Sequence, residues 1–576
     1  MIPLLRAFLG RHRRTLIAIV TLLLIQAVAN LYLPNLNADI INNGVLKGDA
    51  GYILHVGAIM LAVTLVLGVV SVIAIYFSAR TAMAFGRDVR RALFVKVGTF
   101  SLNELNEFGA PTLITRNTND VQQVQMLVLS GLTMMISAPL TAIGGVFMAM
   151  RENFRLSALL IVIIPLMALL IGFMLSKAVP LFRSMQVKID QVNSVLRENL
   201  VGIRVIRAFV RTRHEEERFA AANDDLTDTA LRVTRLFAFM LPSMLLIFNL
   251  SSVAIIWFGG HLVDSGEMPI GNLTAFLAYV MQILFSVMMA VVVLVMLPRA
   301  SASADRIQAI LRTSPTIRDP ANPRMGLKLT GHVEFRDVEF RYPSAEDPVL
   351  RGVSLTLRPG QTTAIVGGTG SGKSTLTNLI PRLNDVSSGA VLIDGVDVRE
   401  WPMHALRAGI GLVPQKAFLF SGTVASNVRF GRPEASDDEV WQALRTAQAS
   451  GFVSEMAEGL GSPIDQGGAN LSGGQRQRLA IARAIVRRPR IYIFDDSFSA
   501  LDYATDGRLR AALARQTADA SVLVVAQRVS TIMGADQIVV LDQGVVVGVG
   551  THSQLMESCE TYREIVFSQL SEAEVA

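Results

Sequence analysis

Cysteine is almost absent from this 576-residue sequence, with Cys559 alone, and charge is scarce, at 17% of residues against the roughly 25% usual for soluble chains. A single cysteine has no intrachain partner, so no disulfide framework exists and nothing requires an oxidising compartment. With 51% hydrophobic residues and a mean hydropathy of +0.43, the scarcity of charge argues against an ordinary soluble chain. What charge there is falls unevenly. Up to residue 320 there are 28 Lys and Arg against 19 Asp and Glu, a net +9, and after it 25 against 28, a net −3. A basic half can signal nucleic acid, but here the charges lie between long apolar segments, so a membrane is the better explanation and no nucleic-acid partner is expected.

A bilayer core about 30 Å thick needs about 20 apolar helical residues. Six runs of that order lack Asp, Glu, Lys and Arg: approximately Thr15 to Pro34, Gly51 to Ser78, Leu127 to Met150, Leu156 to Ser176, Leu236 to Leu262 and Ile270 to Leu297. Six together predict a multi-pass membrane domain, and the length of the first, with five more behind it, argues against a cleaved leader. Four basic residues precede the first run, six lie in the second connection and eleven in the fourth, whereas the other three connections carry almost none. The positive-inside tendency therefore puts both termini in the cytoplasm of a cell whose inner (plasma) membrane holds the chain. The segment Met1 to Arg14 mixes Leu4, Leu5, Phe8 and Leu9 with Arg6 and Arg11, and reads as a short helix on the inner interface.

The two basic connections, about 48 and 60 residues, are far longer than ordinary bundle loops and predict helices that continue into the cytoplasm. Within them, Leu113 to Val121 and Ala208 to Glu217 are mixed segments that could rest on a soluble domain. The apolar runs hold no ionisable Asp, Glu, Lys or Arg for a proton relay. Their polar groups include Gln26, Asn30, Asn249 and Gln282, and the last run adds Met281, Met288, Met289 and Met296 at helical spacing. Such thioethers are either ordinary packing or part of a cavity for adaptable apolar ligands.

Around Asp319 to Pro323 the composition changes, placing a boundary near residue 320: residues 1–320 as the membrane domain and 321–576 as a soluble α/β domain. A buried-strand pattern over Thr362 to Val366 leads directly into Gly367-Gly368-Thr369-Gly370-Ser371-Gly372-Lys373-Ser374-Thr375. This is a phosphate-binding loop in its strand, loop, helix setting. Its glycines let main-chain N–H groups curl around phosphates, Lys373 neutralises their charge, and the Ser374 hydroxyl is placed for Mg²⁺. Farther on, the hydrophobic strand Ile491 to Phe494 ends in Asp495, a second Mg²⁺ ligand. Between the two lies Leu471-Ser472-Gly473-Gly474-Gln475 before a basic helical stretch, either an anion-binding helix start or an ordinary capped helix.

With these motifs the whole chain resembles the ATP-binding cassette (ABC) half-transporters of the exporter fold. Further family motifs follow in order: Tyr342, similar to the adenine-stacking aromatic; Gln415 in Val413-Pro414-Gln415, which by resemblance serves both Mg²⁺ and catalysis; and Ser499-Ala500-Leu501-Asp502. The resemblance implies an N-terminal all-α domain of six transmembrane helices and a C-terminal α/β P-loop nucleotide-binding domain. It implies ATP and Mg²⁺ as cofactors, and a second half-transporter chain whose phosphate loop shares its ATP with this chain's Leu471 to Gln475. The substrate is expected to be small and hydrophobic or amphipathic, such as a drug or lipid.

Two residues depart from the family pattern where chemistry would occur. Asp496 stands where the family usually has Glu to polarise water, and the missing methylene withdraws the carboxylate by roughly 1.5 Å, when about 1 Å of misplacement can lower a rate on the order of 100-fold. Gln527 stands where the family usually has His, and an amide cannot become cationic or shuttle a proton. Together they resemble the weak site of a heterodimeric exporter. A regulatory ATP-binding subunit, a slow homodimer and an importer of the same fold stay open at this point. The run Asp465-Gln466-Gly467-Gly468 also departs, and Gln466 is given no role.

Overall fold

The computed structural model describes residues 1–569 except Met325 and Ser344, with the side chain of Leu241 also outside the description. The chain divides into two compact units, residues 1–98 with 111–313, and residues 99–110 with 314–576.

Six helical stretches among the described residues are long and apolar enough to cross a membrane: Ile2–Val45, Ala50–Val97, Ala110–Glu152, Leu156–Ala208, Thr212–Asp264 and Ile270–Arg312. At 1.5 Å per residue the 48-residue helix Ala50–Val97 is about 72 Å long, more than twice a bilayer core. The basic connections therefore do continue the membrane helices rather than form loops. Large apolar side chains such as Leu61 and Val69 face outward from the unit, as lipid contact requires. Several polar groups between helices are paired across them, because hydrocarbon offers no substitute partner. Asn42 Nδ2 donates to Asn272 Oδ1 at 2.8 Å while Asn42 Oδ1 accepts from the Gly271 N–H at 2.8 Å. The Tyr279 hydroxyl donates to the Leu31 carbonyl at 3.0 Å. The N-terminal helix Ile2–Leu9 turns Leu4 and Phe8 inward, with Phe8 edge-on to Phe85 at 6.1 Å.

Of the expected segment Leu113 to Val121, all belongs to the first unit, residues 1–98 with 111–313, and there Asp120 is buried and held by Arg306 Nε at 2.8 Å and by the Ser303 hydroxyl at 3.0 Å. The stretch that joins the second unit is 99–110. Its signal was legible in Ser101-Leu102-Asn103-Glu104, a capping-box sequence that starts the helix Leu102–Phe108. Glu104 is buried, accepting from the Ser101 N–H at 2.7 Å, the Ser101 hydroxyl at 2.5 Å and the Thr316 N–H at 3.0 Å. The second expected segment is a turn: one helix ends at Ala208, Val210 takes a left-handed φ of 53°, and the next helix starts at Thr212.

Among the described residues the second unit has twelve strands: β1 (Val333–Phe340), β2 (Leu350–Leu357), β3 (Thr362–Val366), β4 (Ser388–Ile393), β5 (Val396–Asp397), β6 (Ile410–Val413), β7 (Gly422–Thr423), β8 (Pro463–Ile464), β9 (Ile491–Asp495), β10 (Ser521–Val525), β11 (Gln537–Asp542) and β12 (Val545–Gly550). They form a sheet in the order β2-β1-β4-β5, a larger one in the order β12-β11-β3-β10-β9-β6, and the pair β7-β8. In the larger sheet β11, β3, β10, β9 and β6 run parallel. β9 and β10 are buried along their whole length, and successive residues point into different cores: Tyr492 and Phe494 into one, Ile491 and Ile493 into the other. This two-sided burial explains why these strands read as unbroken apolar runs rather than alternating ones.

Burial raises the Glu104 carboxyl, but the hydrogen bonds from Ser101 and Thr316 outweigh it and hold the group below the usual range. Its stabilisation is therefore complete at neutral pH and lost as pH falls through that lowered value. Glu104→Ala leaves the Thr316 N–H without this acceptor and should destabilise the unit by about 1–3 kcal/mol. Denaturant unfolding checks the stability, and limited proteolysis should show faster cleavage within 314–323.

Candidate functional site

The larger sheet delivers the site residues by register. β10 pairs β3 with Val525 opposite Ile365, and pairs β9 with Val525 opposite Asp495, while β6 pairs β9 with Val413 opposite Phe494. The segments that follow these strands, 367–375, 527–528, 495–496 and 414–415, therefore leave the sheet at one edge, where ligands bind in open parallel α/β sheets.

The loop Gly367 to Gly372 ends in the helix Lys373–Leu379. Gly372 has φ +97°, a conformation suited to glycine, and at Gly367 a Cβ would stand 2.0 Å from the Leu541 carbonyl oxygen. Gly368, Thr369 and Gly370 are exposed, while Ser371 is buried. The Lys373 ammonium is folded over the loop, donating to the carbonyls of Gly367 at 2.9 Å and Gly368 at 2.7 Å. Burial pushes its pKa down, against the opposing pull of Asp496 and Asp495. Such a partly desolvated cation over a cradle of N–H groups gains from an incoming phosphate.

Beside it the Ser374 hydroxyl donates to Asp495 Oδ1 at 3.1 Å. Asp495 is 8% exposed, and burial raises its pKa, with Asp496 adding to this while the Ser374 hydrogen bond and Lys373 lower it. A hydroxyl and a carboxylate in contact, with the Gln415 amide on the neighbouring strand end, form the hard oxygen set that suits Mg²⁺.

Asp496 follows with φ +47°, a left-handed conformation that Asp tolerates better than most residues. Its main-chain N–H donates to the Val525 carbonyl at 2.9 Å. Its Oδ2 accepts from Gln415 Nε2 at 3.1 Å and from Gln527 Nε2 at 2.9 Å. The two residues that depart from the family pattern thus touch each other, and the third sequence candidate for catalysis touches them both through Asp496.

Tyr342 joins the same place: its hydroxyl lies 3.1 Å from Thr375 Oγ1, and its ring stands edge-on to Phe340 at 4.8 Å. The segment Leu471 to Gln475 lies apart. Ser472 caps the helix Gly473–Val486, with its hydroxyl accepting from the Gln475 N–H at 3.3 Å and Gln475 Oε1 accepting from the Ser472 N–H at 2.9 Å. Leu471 is buried, Ser472 and Gly473 are exposed, and a Cβ on Gly474 would meet the Ala500 carbonyl at 3.2 Å. No hydrogen bond among the described residues joins 471–475 to 367–375.

Sequence reasoning missed what holds the Gln527 loop. Arg528 donates to the carbonyls of Leu501 at 3.1 Å and Ser499 at 3.0 Å, and lies over the Tyr503 ring at 5.0 Å. Only its position beside Gln527 could have drawn attention to it. In the membrane unit, a cavity of about 700 Å³ is lined by Gln26, Asn30 and Gln282 and by Met167, Met244, Met281, Met288 and Met289, with no charged side chain around it. Asn249 and Met296 do not line it.

Replacing Tyr342 tests its part in nucleotide binding. Tyr342→Phe should keep ATP affinity, since the ring remains, while Tyr342→Ala should weaken it by about 1–3 kcal/mol, the range for base–aromatic stacking. Fluorescent-nucleotide titration of the purified chain measures both.

Comparison with known proteins bears on both units. Residues 16–288 match the family model of the ABC transporter transmembrane region, and residues 350–499 that of the ABC transporter. An uncharacterised ABC transporter ATP-binding protein of Mycobacterium tuberculosis is 48% identical over 100% of this chain and 99% of its own. A putative multidrug export ATP-binding/permease protein of Bacillus subtilis is 33% identical over 85% of this chain and 84% of its own. An ATP-dependent lipid A-core flippase of Syntrophus aciditrophicus is 33% identical over 87% and 84%. The solved structure of a bacterial Atm1-family ABC exporter with ATP bound superposes with a TM-score of 0.81 over 98% of this chain and 99% of that one, at 24% identity, a likeness of fold. A phosphate loop, an adjoining Asp-bearing strand and six apolar helices in one polypeptide, matched along their length by these relatives, make the chain a member of the ABC transporter family, with a membrane region followed by an ATPase domain.

Proposed function

We propose that this chain is one subunit of an ATP-driven, exporter-type transporter of a small hydrophobic or amphipathic substrate, that it works beside a non-identical half-transporter, and that its own ATP site is the weaker of two. Residues 1–320 carry the substrate path across the inner membrane, with both termini cytoplasmic, and residues 321–576 bind ATP.

The loop Gly367 to Thr375 holds the phosphates and Tyr342 stacks on the adenine. Ser374, Asp495 and Gln415 would hold Mg²⁺, which supplies neutralising charge to the phosphates when bound. Leu471 to Gln475, exposed at Ser472 and Gly473 and free of this chain's own phosphate loop, serves the partner's ATP. Closure of the two ATPase domains on nucleotide, and reopening after hydrolysis, drives alternating access of the membrane bundle.

The observation that carries the weak-site reading is the contact among the departing residues. A water-polarising carboxylate needs an acceptor oxygen free to take a proton from water. Oδ2 of Asp496 already receives two neutral amides, which leaves Oδ1, on a side chain one methylene short, to meet the water, and Gln527 has no proton to give or take at neutral pH. For the substrate, the uncharged cavity with its thioethers and amides supports an apolar body with a few hydrogen-bonding groups. The described roles of two relatives, multidrug export and lipid flipping, are of the same chemical class.

Trapped-nucleotide analysis of the purified complex tests the assignment. Asp496→Glu with Gln527→His should raise turnover at this chain's site about tenfold or more, while Ser472→Ala should impair the partner's site and leave this one. Mass measurement of the solubilised complex should find a second, different chain. Fast ATP turnover by this chain alone, or a complex of two identical chains, would sink the heterodimer reading, and unchanged turnover in the double variant would sink the weak-site reading.

A further inference from the structure

The end of the soluble unit reaches back to the loop that carries Gln527. The helix Glu560–Phe567 is seated by Tyr562 and Val566, both fully buried, and the Tyr562 hydroxyl lies 2.8 Å from His552 Nδ1. This anchor presents Gln569 to the main chain on either side of Arg528. Gln569 Oε1 accepts from the Val529 N–H at 2.9 Å, and Gln569 Nε2 donates to the Gln527 carbonyl at 2.7 Å. Val529 opens the short helix Val529–Ile532, so its N–H has no partner within that helix. An amide is one of the few side chains that can satisfy a neighbouring donor and acceptor at once, and this one does so from 40 residues away.

We propose that Gln569 is a positioning residue for Gln527, fixing the main chain from which the Gln527 side chain reaches Asp496 Oδ2. The proposal rests on the reading of Asp496 and Gln527 as the reacting end of the ATP site. Gln569 itself has no hydrogen bond to Asp496 or to the phosphate loop among the described residues. Its influence passes through the backbone. The Gln527–Asp496 hydrogen bond, 2.9 Å long, is lost with a displacement of about 1 Å. A freed loop would also let the Gln527 side chain spread over its other rotamers. Arg528, tied to Ser499 and Leu501, keeps the loop near its place when Gln569 is removed, so the expected consequence is misdirection of Gln527 rather than unfolding.

The test uses the full-length transporter in lipid nanodiscs, with Gln569→Ala, Gln569→Glu, Gln527→Ala and the Gln527→Ala/Gln569→Ala double variant. Single-turnover cleavage with protein in excess of ATP follows even a slow site, and hydrogen exchange reports the Val529 amide. Gln569→Ala should speed exchange at Val529 about tenfold and raise the cleavage rate about tenfold, as the Gln527 amide leaves Asp496 Oδ2, with half-saturating ATP unchanged. Gln569→Glu, which keeps an acceptor for Val529 but offers no donor to the Gln527 carbonyl, should preserve protection at Val529 better than Ala and still raise cleavage. In the Gln527→Ala background, Gln569→Ala should raise cleavage no further. The proposal is overturned if exchange at Val529 is unchanged, if Gln569→Ala does not raise the rate, or if it raises the rate by the same factor with and without the Gln527 side chain. The weak-site reading falls by a different result, unchanged turnover in Asp496→Glu/Gln527→His, so the two failures are told apart.

Discussion

The parallel register of β3, β10, β9 and β6 is the constraint on which the soluble unit depends. Because Val525 lies opposite both Ile365 and Asp495, and Val413 opposite Phe494, four chain segments far apart in sequence leave the sheet at one edge. The register is held by burial on both faces. A slip of one residue would exchange Tyr492 and Phe494 for Ile491 and Ile493 between two filled cores. The chemistry at the edge is thus paid for by packing behind it. That packing carries an electrostatic consequence: two aspartates and a lysine meet where water is partly excluded, so burial moves Lys373 down and Asp495 up from their ordinary values. Each is then better off with the opposite charge that a nucleotide and a divalent cation bring than it is alone.

The membrane unit obeys a related rule with a different solvent. Lipid cannot hydrogen-bond, so the amides and hydroxyls of the apolar helices must find one another. Asn42 with Gly271 and Asn272, Tyr279 with Leu31, and Gln282 with Asn30 tie the first and last long helices together at successive levels. Gln282 and Asn30 also border the cavity. The Gln282 amide nitrogen is engaged with Asn30, and its oxygen is buried with no hydrogen-bond partner among the described residues.

What could be read from sequence was what is contiguous. The six apolar runs, the phosphate loop and Leu471 to Gln475 each declare themselves within a few residues, because bilayer thickness, a phosphate cradle and a helix cap are local demands. The departures at Asp496 and Gln527 were also legible, but only one at a time; that they meet at a single carboxylate oxygen depends on strand register. In the first cytoplasmic arm the stretch that belongs to the soluble unit is 99–110, started by the capping box of Ser101 and Glu104, a local signal, whereas the mixed polarity at Asp120 reflects its burial against Arg306 and Ser303. Helical spacing found Met281, Met288 and Met289 but could not find Met167 or Met244, which reach the same cavity from other helices. Gln569 carries no motif at all, since its partners are main-chain atoms and any sequence provides those.

Asp496 and Gln527 make sense as a pair rather than as two independent losses. In the left-handed conformation of residue 496, a one-methylene-shorter acid leaves its oxygen where amides from β6 and β10 can close upon it. Gln415 and Gln527 share that oxygen at 3.1 and 2.9 Å, and groups sharing one acceptor are those whose substitutions are expected to be non-additive. This chain thus holds a short acid between two amides, and a change at Asp496 or Gln527 alters the hydrogen-bond partner of the other.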